Sequence, residues 1–110
     1  KEEVRELSRP FYADYVNRML RFYARKIHSG EVLRMKMENA VDKKNWNCVV
    51  RVLDKLPERD KDVIIEVYRR GDTLPDNIYW VAKELKVEQD MIWTLVSKVT
   101  KRIARERGLI

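Results

Sequence analysis

A dense cationic segment lies near the end of the chain. Residues 97–107 contain five Lys and Arg side chains and one acidic side chain, whereas residues 57–96 contain six Lys and Arg against nine Asp and Glu. Ammonium and guanidinium groups at this density neutralise the phosphates of a nucleic acid. A solvated charged face is the competing interpretation. The side chains expected to contact phosphates are Lys98, Lys101, Arg102 and Arg105.

The residues around this segment repeat with the period of an amphipathic helix. Apolar residues recur at steps of three, one, three and four between Ile92 and Ile103, which defines one helical face. Polar side chains on the other face would meet base edges if the helix entered a DNA groove. Helix 89–107 is therefore predicted to read duplex DNA. The candidates for base contact are Gln89, Asp90, Trp93, Thr94 and Ser97.

Two of these candidates have structural alternatives. Trp93 is a lone tryptophan on its helix, and its large ring could instead pack over neighbouring helices or a partner subunit. Asp90, together with Glu88, could offset the dipole at the start of the helix. Because two carboxylates at this end would also oppose DNA phosphates, the same residues leave open a domain that has lost DNA binding.

A second basic surface is predicted in the first half of the chain. Residues 1–56 carry thirteen Lys and Arg against eight acidic residues. Arg18, Arg21 and Arg25 follow one another at steps of three and four, so they share one face of a helix. They either contact phosphates or pair with the acidic residues after Pro57, and the sequence favours neither interpretation.

The inventory for catalysis and metal binding is thin. His28 is the single histidine and Cys48 the single cysteine, so one chain cannot assemble a His-based triad or a metal cluster. Three glycines do not make a phosphate-binding loop. We expect no enzymatic activity, no metal and no cofactor. The lone thiol favours a reducing, cytoplasmic environment, and no apolar run is long enough to span a membrane.

Cap and turn residues predict the first helix and the connection after it. Ser8 and Pro10 indicate the start of that helix, and Gly30 indicates a left-handed C-cap. Residues 31–38 alternate like a strand but have no second strand to pair with. We expect a connection whose apolar side chains enter the core: Val32, Leu33 and Met35.

Two more helices are predicted at 39–55 and 58–70. Asn39 is the expected N-cap of the former, and acidic residues at the start of the latter complement its dipole. Trp46 and Trp80 are both assigned to the core because of their size and apolar character. Together with the C-terminal segment, these elements predict an all-α fold of about five helices. The chain is expected to be a single domain, residues 1–110, with parts 1–56 and 57–110.

The segment 76–107 predicts a helix-turn-helix packed on the N-terminal helical pair. A short helix over 76–85, a joint at 86–88 and a longer helix 89–107 follow one another. Two helices that cross steeply must each present a short apolar stripe to a shared core. The stripe expected on the first of them is Ile78, Val81, Ala82 and Leu85.

Two segments also carry a family pattern. Residues 56–64 read Leu-Pro-Glu-Arg-Asp-Lys-Asp-Val-Ile and residues 81–87 read Val-Ala-Lys-Glu-Leu-Lys-Val, with Tyr68 and Gly71 between them. From about 53 to 107 the chain resembles the fourth region of sigma-70-type factors and related regulators of phages and mobile elements. The resemblance implies a helix-turn-helix that reads promoter or operator DNA in the major groove, in some members while docked on RNA polymerase.

The chain departs from that family at the joint. Lys86 stands where the family usually has glycine, so a reshaped turn is expected, and Glu88 stands where a Ser or Thr cap is usual. The first 55 residues do not match the family's promoter-melting segments. We therefore expect a DNA-binding transcriptional regulator of phage or mobile-element type that acts on double-stranded DNA. A homodimer would double the site that one recognition helix reads. The alternative is a protein-interaction module of the same fold that docks on RNA polymerase or a phage packaging subunit.

Overall fold

The computed structural model describes residues 10–30 and 39–110, and these residues form five α-helices and no strand. The all-α prediction is confirmed. The predicted connection at 31–38 and the predicted cap Ser8 lie outside the described residues. The helices are α1 Ala13–Ser29, α2 Ala40–Asp54, α3 Glu58–Arg69, α4 Leu74–Leu85 and α5 Gln89–Glu106.

The ends of α1 and the start of α2 follow local capping chemistry. The carbonyl of Pro10 accepts from the Ala13 amide at 3.1 Å, so Pro10 belongs to a turn before α1. Its predicted place in the first helical turn was wrong. Gly30 ends α1 with φ 74°, and the Asn39 side chain caps α2 by accepting from the Val41 amide at 2.7 Å. Both of these predicted caps are confirmed.

The core is formed where α1 packs on α3 and where α5 packs on α1 and α2, while α4 packs on α3 and α5. Apolar side chains from all five helices meet there, including Leu20, Leu53 and Ile103. A polar contact inside the core joins α3 to α1, because the Tyr68 hydroxyl donates to Asn17 Oδ1 at 2.7 Å. Burial raises the pKa of Tyr68 well above its ordinary value, so this hydroxyl keeps its proton and remains a donor.

Helix α4 begins two residues earlier than its predicted start at 76. Thr73 precedes it, and the Thr73 hydroxyl accepts from the Asp76 amide. Ile78, Val81 and Ala82 are buried as expected. The orientation of this helix therefore agrees with the apolar stripe that the sequence indicates.

Two side chains of α4 were placed wrongly in the core. Trp80 is 47% exposed because it follows Ile78 by two positions and therefore lies on the opposite side of the helix. Leu85 is on the correct face but is also 47% exposed, since it ends the helix beside an open groove. Trp46 is half-buried and packs against the core, close to the ring of Tyr23.

The joint between α4 and α5 keeps a left-handed residue although no glycine is present. Lys86 has φ 57° and ψ 45°, and the Val87 amide donates to the Ala82 carbonyl at 3.1 Å. A non-glycine residue in this region costs about 1–2 kcal/mol. A reshaped turn was expected here, but Lys86 instead adopts the left-handed conformation that glycine favours. The surrounding turn holds it in this strained conformation.

Candidate nucleic-acid interface

Helix α5 is held in place by its apolar face. Ile92, Val96, Val99 and Ile103 are buried, and α5 packs on α1 and α2 as well as on α4. The Cys48 thiol of α2 contacts the Ile103 carbonyl at 3.6 Å. Because this face is fixed, the opposite face of α5 is presented to solvent in a defined register.

Five exposed side chains form a row along the solvent face of α5. Its members follow one another at steps of three, four, three and four, which keeps them in line along a helix. The first two are uncharged and the last three are cationic. Arg102 flanks the row and is also exposed. We call this the α5 row, and it consists of Met91, Thr94, Lys98, Lys101 and Arg105.

The cations of the α5 row have no acidic partner among residues 10–30 and 39–110, and the same holds for Arg102. Arg107 is different, because its Nε donates to the Asn45 side chain. Glu106, the acid of this segment, lies 3.7 Å from Arg51 of α2. Four cations are therefore available to a ligand, and they are the four that the sequence assigns to phosphate contact.

The five predicted base-contact residues divide into two groups. Gln89, Asp90, Thr94 and Ser97 are exposed, and Thr94 belongs to the α5 row. Trp93 is half-buried and packs against the core. Packing over neighbouring helices is the alternative that the sequence analysis gave for this ring. Met91, 58% exposed, extends the row and was overlooked because methionine is usually read as a core residue.

The second basic face is less uniform than the α5 row. Arg18 and Arg25 are exposed, whereas Arg21 is half-buried and close enough to Tyr68 to act on that hydroxyl electrostatically. Within the described part of the chain, none of the three forms an ion pair with an acid of α3. The pairing interpretation is therefore not observed.

An exposed aromatic pair lies beside the joint between α4 and α5. Tyr79 and Trp80 meet edge to face with centroids 5.2 Å apart, and the Lys83 ammonium lies over both rings at 5.9 and 5.4 Å. Tyr79 and Lys83 also line a recess of about 410 Å³, together with Lys86 and Gln89. The sequence reasoning missed this cluster because Trp80 was assigned to the core.

A groove runs between α3 and the first half of α5, with a volume of about 750 Å³. Leu85 and Met91 expose apolar surface to it, and Asp60 and Asp62 of α3 line it. Lys98 of the α5 row stands at its other side. Glu66 and Arg59 complete the charged groups of α3 that line the groove, so this wall is mainly acidic with one cation.

Cys48, the single cysteine, is buried in the core. Burial raises the pKa of the Cys48 thiol, which disfavours the nucleophilic thiolate. In the part of the chain that the structure describes, no three His, Cys, Asp or Glu side chains lie together in a metal-binding arrangement. Nor does any described helix combine the length and apolar character that crossing a bilayer requires.

Comparison with protein-family models, curated proteins and solved structures found no match to this chain. The resemblance to the fourth region of sigma-70-type factors therefore stays a prediction from the residues of 53–107. The structure adds the positions and the contacts of the described side chains in this segment.

Proposed function

We propose that the protein is a DNA-binding transcriptional regulator of phage or mobile-element type, and that α5 reads duplex DNA. The observation that carries the proposal is the set of four exposed cations on α5 that have no acidic partner among the described residues. Side chains spaced along one helix face can follow the phosphates that border a major groove. The sequence resemblance to sigma-70 region 4 supports the same function.

The division of the α5 row favours entry of the N-terminal half of α5 into the groove. Thr94 offers a hydroxyl and a methyl group to base edges, and Ser97 offers a hydroxyl. Lys98, Lys101 and Arg105 follow toward the C-terminal end, where they would contact the backbone. A single recognition helix reads few base pairs, so a homodimer that binds two half-sites is the expected functional form.

Salt dependence tests this proposal. Fluorescence anisotropy with random and host-genomic duplexes at several salt concentrations gives the affinity of the wild-type protein. Neutralising about four phosphates predicts a log–log slope near −3.6. The double variant Lys101→Glu, Arg105→Glu should lose binding. A matched variant, Lys43→Glu with Lys44→Glu, makes the same charge change on exposed positions of α2 and should retain it.

Three results would contradict the proposal. One is no duplex binding by the wild-type protein even at low salt. Another is equal loss of binding in both double variants, because only the total charge would then matter. The third is a duplex affinity that is insensitive to charge reversal on α5.

The groove between α3 and α5 favours a second candidate function. Its exposed Leu85 and Met91 and its acidic wall match an amphipathic helix with basic flanks, as a docking segment of RNA polymerase could supply. A binding assay with purified polymerase core separates the two functions. Leu85→Ser, which removes the apolar side chain without adding a charge beside α5, should abolish docking and leave DNA affinity unchanged if the alternative is correct, whereas no polymerase binding would exclude that partner.

A further inference from the structure

We propose that Tyr79, Trp80 and Lys83 of α4 form a second nucleic-acid contact, which stacks an unpaired nucleotide beside the duplex bound by α5. This inference rests on the proposed function. It assigns a ligand to the exposed aromatic pair, which the duplex contacts of α5 do not use.

The aromatic pair has the composition of a stacking site. Tyr79 is 44% and Trp80 47% exposed, so each ring retains surface that a base could cover. Every base has a π-face that stacks on aromatic side chains, and a nearby cation holds the phosphate. Lys83, whose ammonium lies over both rings, supplies that cation without a competing ion pair to a described carboxylate.

The charges around the rings favour an anionic ligand. Lys86 lines the recess with Lys83 and Tyr79, which brings two ammonium groups to one opening. Glu88 is the acidic residue that lines the recess. Glu84, the remaining carboxylate near the end of α4, is held by Arg70 at 2.7 Å and is therefore unavailable to neutralise either lysine.

The aromatic pair lies close to the start of α5, the helix that carries the α5 row. Tyr79 of α4 and Gln89 of α5 line the same recess, so the stacking site adjoins the N-terminal tip of α5. Lys98 follows Gln89 by nine residues, about 14 Å of helix. That length equals roughly four base-pair steps of duplex. The unpaired nucleotide is therefore expected within a few positions of the duplex segment that α5 contacts.

The test compares three labelled DNA probes by fluorescence anisotropy: a blunt duplex, the same duplex with a short single-stranded overhang, and the single strand alone. Wild-type protein should bind the overhang probe about tenfold more tightly than the blunt duplex. Trp80→Ala should remove this gain and leave blunt-duplex affinity unchanged. Trp80→Phe, which keeps a ring, should retain most of it.

A matched control uses an exposed ring elsewhere. Phe11 is 82% exposed and precedes α1, so Phe11→Ala removes a comparable aromatic surface away from the joint. It should preserve the overhang preference. Far-UV circular dichroism verifies that each variant remains folded, as expected for substitutions at exposed positions.

The outcomes separate failure of this inference from failure of the proposed function. Equal affinity of wild-type protein for blunt and overhang probes, or a preference that survives Trp80→Ala, overturns the stacking site and leaves duplex binding by α5 intact. Self-association that is lost in Trp80→Ala also overturns it, because a second copy would then cover the rings. No binding of any duplex overturns the proposed function, and with it the inference.

Discussion

The solvent face of α5 and the cluster where the end of α3 meets α4 use their cations in opposite ways. On α3, Arg69 and Arg70 both bind Glu66, and Arg70 also reaches Glu84 of α4 at 2.7 Å. On α5, the outward cations have no acidic partner in the described ranges 10–30 and 39–110. The former set stabilises the packing of two helices, and the latter is available to a ligand.

This difference shows why net charge is a poor guide to the interface. Lys61 adds a further ion pair on α3, with Asp54 of α2 at 3.1 Å, and its hydrogen bond to that carboxylate raises the pKa of the lysine. Cations of this kind are compensated within the fold. The α5 row gives the surface its directed positive charge, so substitutions in the two regions should change different measured quantities.

The largest expected effect is on stability, at Arg70. Arg70→Ala removes the contacts with Glu66 and Glu84 and should lower the free energy of unfolding by about 1–2 kcal/mol, measured by urea denaturation. Duplex affinity below the unfolding midpoint should not change. A double-mutant cycle with Glu84→Gln isolates the contact between α3 and α4, and full additivity of the two variants would contradict the assigned pairing.

Removing a single cation of the α5 row should weaken duplex binding and leave stability nearly unchanged. Lys101→Ala should reduce the steepness of the log–log salt dependence of duplex binding by about 0.9 and weaken binding severalfold at low salt. The free energy of unfolding should stay within about 0.5 kcal/mol of wild type, since the side chain is exposed. An unchanged salt slope would remove Lys101 from the interface.

The ion pairs of Glu66 should make the stability of the protein depend on pH. The hydrogen bond from Arg69, and then the charges of Arg69 and Arg70, lower the pKa of the Glu66 carboxyl in the folded state. This stabilisation is present above the ordinary pKa near 4.5 and is lost as pH falls through the lower folded-state value.

The effect of Glu66 is small because its side chain is partly exposed. Urea denaturation at neutral and acidic pH should show a loss on the order of 0.5 kcal/mol in wild type that is reduced in Glu66→Gln. Identical pH profiles for the two proteins would show that the ion pairs of Glu66 do not contribute to stability.

The smallest expected effect is an increase in stability when Lys86, at the joint between α4 and α5, is replaced. Lys86→Gly relieves a left-handed lysine but increases the freedom of the unfolded chain, so we expect a net stabilisation of about 0.5 kcal/mol. Thermal denaturation measures it. Lys83→Gly, a control in the regular part of α4, should instead destabilise by about 1 kcal/mol. Equal losses in both would mean that the backbone at Lys86 is not strained in solution.

Local chemistry made much of this fold predictable. Gly30 and Asn39 cap their helices as the sequence indicates, and the bounds of α2 and α3 differ by about one residue from the predicted ones. Caps and turns depend on residues close in the chain, so a single sequence contains the required information. The start of α1 was misplaced because Pro10 is compatible with either a turn or a first helical position.

Residue type misled the prediction where it disagreed with periodicity. Trp80 was assigned to the core for its size, although its spacing from Ile78 and Val81 places it on the outer face of α4. The exposed aromatic pair could have been found from that spacing. The pairing of Arg70 with Glu84 could not, because it depends on how α3 and α4 pack. The α5 row has no acidic partner in the part of the chain that the structure describes, and this also depends on tertiary structure.

The central claim is that duplex DNA contacts the solvent face of α5 and leaves the α3 surface free. Amide chemical-shift mapping of ¹⁵N-labelled protein with a duplex at low salt tests this most directly. The account predicts the largest perturbations at residues 89–105, with little change across 58–69. Perturbations confined to residues 58–69 and Leu85, or none at saturating duplex, would contradict it.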